Sequence, residues 1–247
     1  MSETPDLRKP WQRQAWVQGL AILLGYIPAW LMALLSQTGG RATTLKGMLV
    51  YTTAGAAISI ATILLLLRFL CGENLRELNL KAGAWWKDVM GGIVLATLTL
   101  LAKFALDPIL LKLMPRASAG ANPALALFGE MAQNPWLLAL FLGPVLMIGV
   151  AGFEELSRVF FISRWWRISP VGWWRWVGVV GSAVLFGLVH VYQGPAGAVS
   201  VAINGLILAI WYVRFGRLLP LMVSHYLYDA LQIIQVVILI RQGVIGA

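Results

Sequence analysis

Charge is scarce in this sequence. Asp, Glu, Lys and Arg make up 12% of the 247 residues, about half the share a soluble domain carries, while 60% are hydrophobic. That deficit excludes a solvated globular surface and leaves a polytopic membrane protein. Only one cysteine is present, Cys71, so an internal disulfide and a cysteine-based metal centre are both excluded. Histidine occurs twice, as His190 and His225, and no H-E-x-x-H zinc motif is found. No serine sits in a nucleophile elbow and no lysine lies near the acidic pair Glu154-Glu155, which disfavours nucleophilic catalysis by Ser or Cys. The net charge of +9 invites a nucleic-acid partner, but the basic residues stand singly at the ends of apolar runs, as topology signals do. Nucleic acid is therefore excluded as a partner; the lipid bilayer is implied as one.

The apolar runs predict an all-α fold, a polytopic membrane helix bundle of about seven to eight helices in a single membrane domain, residues 1–247. The first run, about Ala15 to Leu35, is longer than a secretory h-region and reads as a retained span. Gly39-Gly40-Arg41 marks a loop, and further spans are expected at about Met48–Leu70 and Val89–Leu111. Lys103 and Asp107 share a face of that third span and are placed to pair. Pro115–Pro135 reads as a loop with a short helix around Ala124–Met131. A fourth span starts near Trp136 and ends at the belt Arg164-Trp165-Trp166-Arg167; a fifth runs from about Val177 to Tyr192 and breaks through Gln193–Gly197. The last two are expected to reach about Val213 and to cover Leu218–Ile240. With seven spans and the N-terminus inside, twelve Lys and Arg fall in the inner connections and five in the outer ones. The bias predicts a cytoplasmic N-terminus, in a bacterial inner membrane.

Against this background the few buried polar groups stand out. Glu154 and Glu155 follow an uncharged apolar run inside the fourth span. One acid in hydrocarbon costs roughly 2.5–3.5 kcal/mol, so such groups face a cavity and serve a function more often than not. Neighbours on a helix diverge by ~100°, so one of the two can act on substrate while the other holds a basic partner. Arg158 is within reach of either. A structural ion-pair knot is the alternative. His190 closes Phe186-Gly187-Leu188-Val189-His190 just before a helix break, and His225 shares a helical face with Asp229. Either histidine alone would be a satisfied packing residue as often as a functional one, and Asn204 reads as an interhelical hydrogen-bonding group. Together they are more informative: at ~1.5 Å per residue, Glu154 and His190 differ in depth by about 6 Å, and His225 lies about 10 Å above the same inner belt. A carboxylate with two histidines suits activation of water, the carboxylate taking a proton and an imidazole steadying an oxyanion. The same set could hold a zinc ion, the less favoured alternative.

These residues, in this order, resemble the CPBP family of intramembrane proteases, the CAAX protease and bacteriocin-processing enzymes also called the Abi family. The family shows Glu-Glu with a following Arg, then F-x-x-x-H, then H-x-x-x-Asn/Asp on successive helices, matched here by Glu154-Glu155…Arg158, Phe186…His190 and His225…Asp229. The resemblance covers residues 135–231. It implies an intramembrane endopeptidase with no metal cofactor, in which Glu154 activates water, His190 helps to bind it, and His225 and Asp229 stabilise the oxyanion. Glu155, paired to Arg158, would support them. It also implies a peptide or protein substrate, prenylated in the eukaryotic members, and a site open to the cytoplasm. Two features differ from the common pattern: only Leu156 and Ser157 separate Glu155 from Arg158, and the last motif ends in Asp. Two rivals of other classes are a non-catalytic immunity or scaffold protein that keeps the cluster for stability, and a proton-coupled transporter. The absence of an obvious internal repeat argues against the transporter.

Overall fold

In hydrocarbon a peptide group has no solvent to bond to, so long apolar stretches must satisfy their backbone internally as helix. The computed structural model describes residues 9–38, 45–78, 80–81, 83–114 and 123–245, and every regular element among them is helical. In chain order these are α1 (Ala15–Thr38), α2 (Leu45–Leu65, closed by a π turn Leu66–Leu70), α3 (Trp85–Leu113), α4 (Pro123–Gln133) and α5 (Pro135–Leu140). A π-helical stretch, Phe141–Gly152, joins α5 to α6 (Phe153–Ile168); α7 (Gly172–Leu188), α8 (Gly194–Phe215) and α9 (Leu219–Arg241) complete the bundle. The polytopic helical bundle expected from composition is the architecture observed. The loop expected at Gly39–Arg41 and residues 115–122 of the segment expected after Pro115 lie outside the described residues, and the short helix expected around Ala124–Met131 is α4.

Among the described residues, five stretches are long and apolar enough to cross a bilayer: Leu49–Leu70, Trp85–Leu113, Pro135–Ile168, Val191–Phe215 and Leu219–Arg241. α7, with 17 residues, and the Ala15–Pro28 part of α1 are shorter. Three boundaries differ from expectation. α3 begins at Trp85 instead of Val89, because Asp88 in its first turn is held by Arg217. The helix before His190 stops at Leu188, and α8 starts already at Gly194. Pro195 does not break α8: it lies in the first turn, where a missing N–H costs nothing. The fourth span is a bent rod of 34 residues. It begins with Pro135 in its first turn and Asn134 as cap, the side chain accepting from the Leu137 N–H at 3.2 Å. It kinks at Gly143, whose ψ of −111° is not helical, next to Pro144, which cannot supply an N–H to the ladder.

Lipid tails are as apolar as leucine, so helix association in a membrane rests on close packing and polar contacts. α3 packs on α8 and α9, α7 on α8, and α1 on α2 and α6. One core gathers Phe160, Ile162, Leu208, Tyr212 and Leu221; a second, around Met131, Leu146, Ile233 and Val237, ties α4 and the π stretch to α9. The C-terminal half of α6 is anchored by charge. Arg164 is fully buried and pairs with Glu73 at 2.6 Å, Gln18 Oε1 accepts from it at 3.0 Å, and Arg167 reaches Glu73 at 3.2 Å. This knot fixes α6 against α1 and the α2–α3 connection, and with it the depth of the two glutamates in the first turn of α6.

Candidate active site

Glu154 and Glu155 occupy the first turn of α6, directly after the π stretch. Wide π turns recur at functional sites because they shift the side-chain register of the next helical turns. Here the two acids reach different surroundings. Glu155 is wholly buried and Arg158 grips it with two hydrogen bonds, Nε to Oε2 at 2.9 Å and Nη2 to Oε1 at 3.2 Å. The two-residue spacing that departs from the family pattern thus still gives an i,i+3 pair. The remaining Arg158 nitrogen, Nη1, donates to the Gly205 carbonyl of α8 at 3.2 Å, and the guanidinium lies 4.2 Å from the Phe186 ring centre. Gly205 is required there, since a Cβ would collide with Arg158 Nη1 and the Phe186 ring. From α1, the Tyr26 hydroxyl donates to the Ser157 carbonyl at 3.4 Å.

α9 brings His225 into the same cluster. Its Nδ1 lies 2.7 Å from Glu155 Oε1; as the carboxylate can only accept, Nδ1 carries a proton. Nε2 then points between two further acids, Glu154 Oε2 at 3.5 Å and Asp229 Oδ2 at 3.4 Å. These distances are too long for direct hydrogen bonds. The Glu154 oxygen is buried and makes no hydrogen bond among the described residues. Glu154 and Asp229 remain 23% and 27% accessible whereas Glu155 is sealed, which decides which acids an entering molecule can meet.

The turn after α7 supplies His190. Its Nδ1 lies 2.8 Å from the Phe186 carbonyl, an acceptor, so Nδ1 holds a proton there and Nε2 is left as the outward-facing nitrogen. The Phe186 ring sits 4.7 Å from His190 and 5.8 Å, edge-on, from His225. His190 is near enough to Glu154 for their charges to interact, and Tyr192 feels both Glu154 and Asp229. All six residues singled out in the sequence, Glu154, Glu155, Arg158, His190, His225 and Asp229, therefore converge on one cluster between α6, α7 and α9. Among the described residues, no three or more His, Cys, Asp or Glu side chains are arranged as a metal site.

Neighbouring polar groups follow different rules. Lys103 and Asp107 do pair, at 2.5 Å, and Asp107 also accepts from Ser200 at 2.7 Å. The interhelical hydrogen bond expected of Asn204 is not formed: its Oδ1 is buried without a partner among the described residues. Three participants are not legible as such in the sequence. Phe186 stands there only as the head of its motif, yet its ring bridges Arg158, His190 and His225. Gly205 and Tyr26 lie in apolar runs, where a glycine beside Asn204 and a single tyrosine are the only available signals.

One comparison with known proteins is decisive for this region. Residues 134–231 match the family model described as type II CAAX prenyl endopeptidase Rce1-like. This part of the chain is similar to that family. The matched segment opens at the cap of α5 and closes two residues after Asp229, so it contains the whole cluster. It agrees with the CAAX protease resemblance carried by the motifs, and it supports an intramembrane endopeptidase, a hydrolase of peptide bonds. No curated protein and no solved structure matches the chain.

Proposed function

We propose that this protein is an intramembrane endopeptidase that hydrolyses a peptide bond with water activated by Glu154, without a metal ion. The observation that carries the reading is the division of labour between the paired acids: Glu155 is buried and fully engaged by Arg158 and His225, while Glu154 keeps a carboxylate oxygen, 3.5 Å from His225, with no hydrogen-bond partner among the described residues. A base needs an oxygen that is not already spoken for. Water held between Glu154 and the outward Nε2 of His190 loses a proton to Glu154 as its oxygen adds to the scissile carbonyl carbon. The oxyanion forms beside Nε2 of His225, whose orientation Glu155 fixes through Nδ1. Glu154 then passes its proton to the departing amine as the C–N bond breaks, which restores the carboxylate. Asp229 steadies the His225 ring and the proton lodged between the two groups.

The 135–231 core carries this chemistry, and the remaining helices frame it within the bilayer. The substrate is a peptide or protein segment, lipid-modified as in the CAAX enzymes, reaching a site open to the cytoplasm of a bacterial inner membrane. Two readouts test the proposal. Comparing protein termini in membranes from cells with the wild type and with Glu154→Ala should reveal cleaved termini that the variant lacks. Purified His190→Ala should stay folded yet lose cleavage of a peptide spanning such a site; full activity in both variants would overturn the assignment.

A further inference from the structure

A cavity lies away from the acid cluster, at the end of α2. It measures about 360 Å³ and is lined by Leu64, Leu67, Arg68, Glu73, Leu75 and Arg76. Its shape follows from one turn. The π turn ends at Leu70, and Gly72 adopts φ +67°, a left-handed conformation that residues with a Cβ resist. The chain folds back, with the Glu73 N–H donating to the Leu67 carbonyl at 2.7 Å, and the short 3₁₀ helix Leu75–Leu78 follows. Arg68 on the outgoing limb and Arg76 on the returning one thereby line the same space.

Its electrostatics are unbalanced. Glu73 is the acid in the wall, and its carboxylate is drawn into the bundle by Arg164 at 2.6 Å and Arg167 at 3.2 Å. Arg68 and Arg76 are exposed, and neither guanidinium has an acidic partner among the described side chains. Two guanidiniums over leucine walls match an anion with an apolar body. Guanidinium forks bind phosphate oxygens in pairs. The outer surface next to the cavity is also apolar, with Leu65 and Phe69 56% and 69% exposed where α2 faces the hydrocarbon. Trp85 and Trp86 nearby in the chain are exposed as well, as residues at headgroup level are.

We infer that this cavity binds the phosphate group of an anionic membrane lipid, with Arg68 and Arg76 as its two cationic contacts and the α2 leucines against its acyl chains. The test is the thermal unfolding midpoint of the purified, delipidated full chain in a neutral detergent. Micelles containing phosphatidylglycerol should raise the midpoint by about 5 °C over micelles containing phosphatidylcholine. Inorganic phosphate at the same concentration should not. The double variant Arg68→Gln/Arg76→Gln, which alters only exposed side chains, should lose the rise. Arg175→Gln/Arg214→Gln, which removes the same charge elsewhere, should keep it. Equal stabilisation by phosphatidylcholine, equal loss in both double variants, or a full shift with inorganic phosphate alone would each overturn the inference.

Discussion

Replacing Arg158 with methionine is the most informative perturbation of the cluster. The wild-type guanidinium neutralises a wholly buried carboxylate with two hydrogen bonds and satisfies the Gly205 carbonyl with a third. Methionine fills similar volume but leaves Glu155 as an uncompensated buried charge. Breaking such a pair from one side costs about 3–5 kcal/mol. At roughly 2–4 °C per kcal/mol for a chain of this size, the unfolding midpoint in detergent should drop by at least about 6 °C. Replacing both partners, as Glu155→Leu with Arg158→Met, removes the charge together with its counter-charge and should recover part of that loss. The remainder is the His225 Nδ1 hydrogen bond, worth about 1–3 kcal/mol when its partner is lost, together with the Arg158 contact to the Gly205 carbonyl. Peptide cleavage should be lost in the double variant even so, because His225 no longer has a fixed orientation. Equal destabilisation in the single and double variants would refute the reasoning, as would a single variant as stable as the wild type.

Other outcomes rest on the same geometry. Asp229→Asn keeps a polar group about 3.4 Å from His225 Nε2, and the family pattern accepts either residue, so activity should stay within about tenfold of wild type. Pre-incubation with EDTA or phenanthroline should leave cleavage unchanged; loss restored by added zinc would contradict a metal-free site. Cys71 is buried, and burial pushes its thiol above the ordinary cysteine range against the opposing pull of Arg164. The raised value means that its contribution to stability is complete below the unfolded thiol value of about 8.5 and is lost as pH rises through the folded one. Maleimide should therefore label it slowly in the folded protein at pH 7 and rapidly after denaturation in SDS. Fast labelling of the folded chain would contradict its burial.

The helical membrane bundle is legible because hydrocarbon allows so few solutions: 60% hydrophobic residues in runs of about twenty leave helices as the one way to satisfy the backbone. Boundaries are less legible where tertiary partners decide them. The start of α3 depends on Asp88 meeting Arg217, residues far apart in the chain. The bend at Gly143-Pro144 is visible in the residue types, but the twelve-residue π stretch around it has no sequence signature. In the cluster, arithmetic along the helices places Glu154, His190 and His225 at a common depth, and the fold brings them together. Periodicity allows Arg158 to reach either acid, and only the packing of Gly205 and Phe186 shows that it takes Glu155. Asn204 illustrates the converse, a polar residue whose expected partner the helix packing does not supply.

Glu154 is proposed as the base and Glu155 as its sealed support. Glu154→Gln is the direct measurement, with kcat for a cleaved peptide and the unfolding midpoint determined on the same preparation. Because the buried Glu154 oxygen makes no hydrogen bond among the described residues, the substitution should leave the midpoint within about 2 °C of wild type, while removing a general base should lower kcat by about 10²–10⁴. A variant that cleaves at the wild-type rate, or one that loses activity only because it unfolds, would contradict the account.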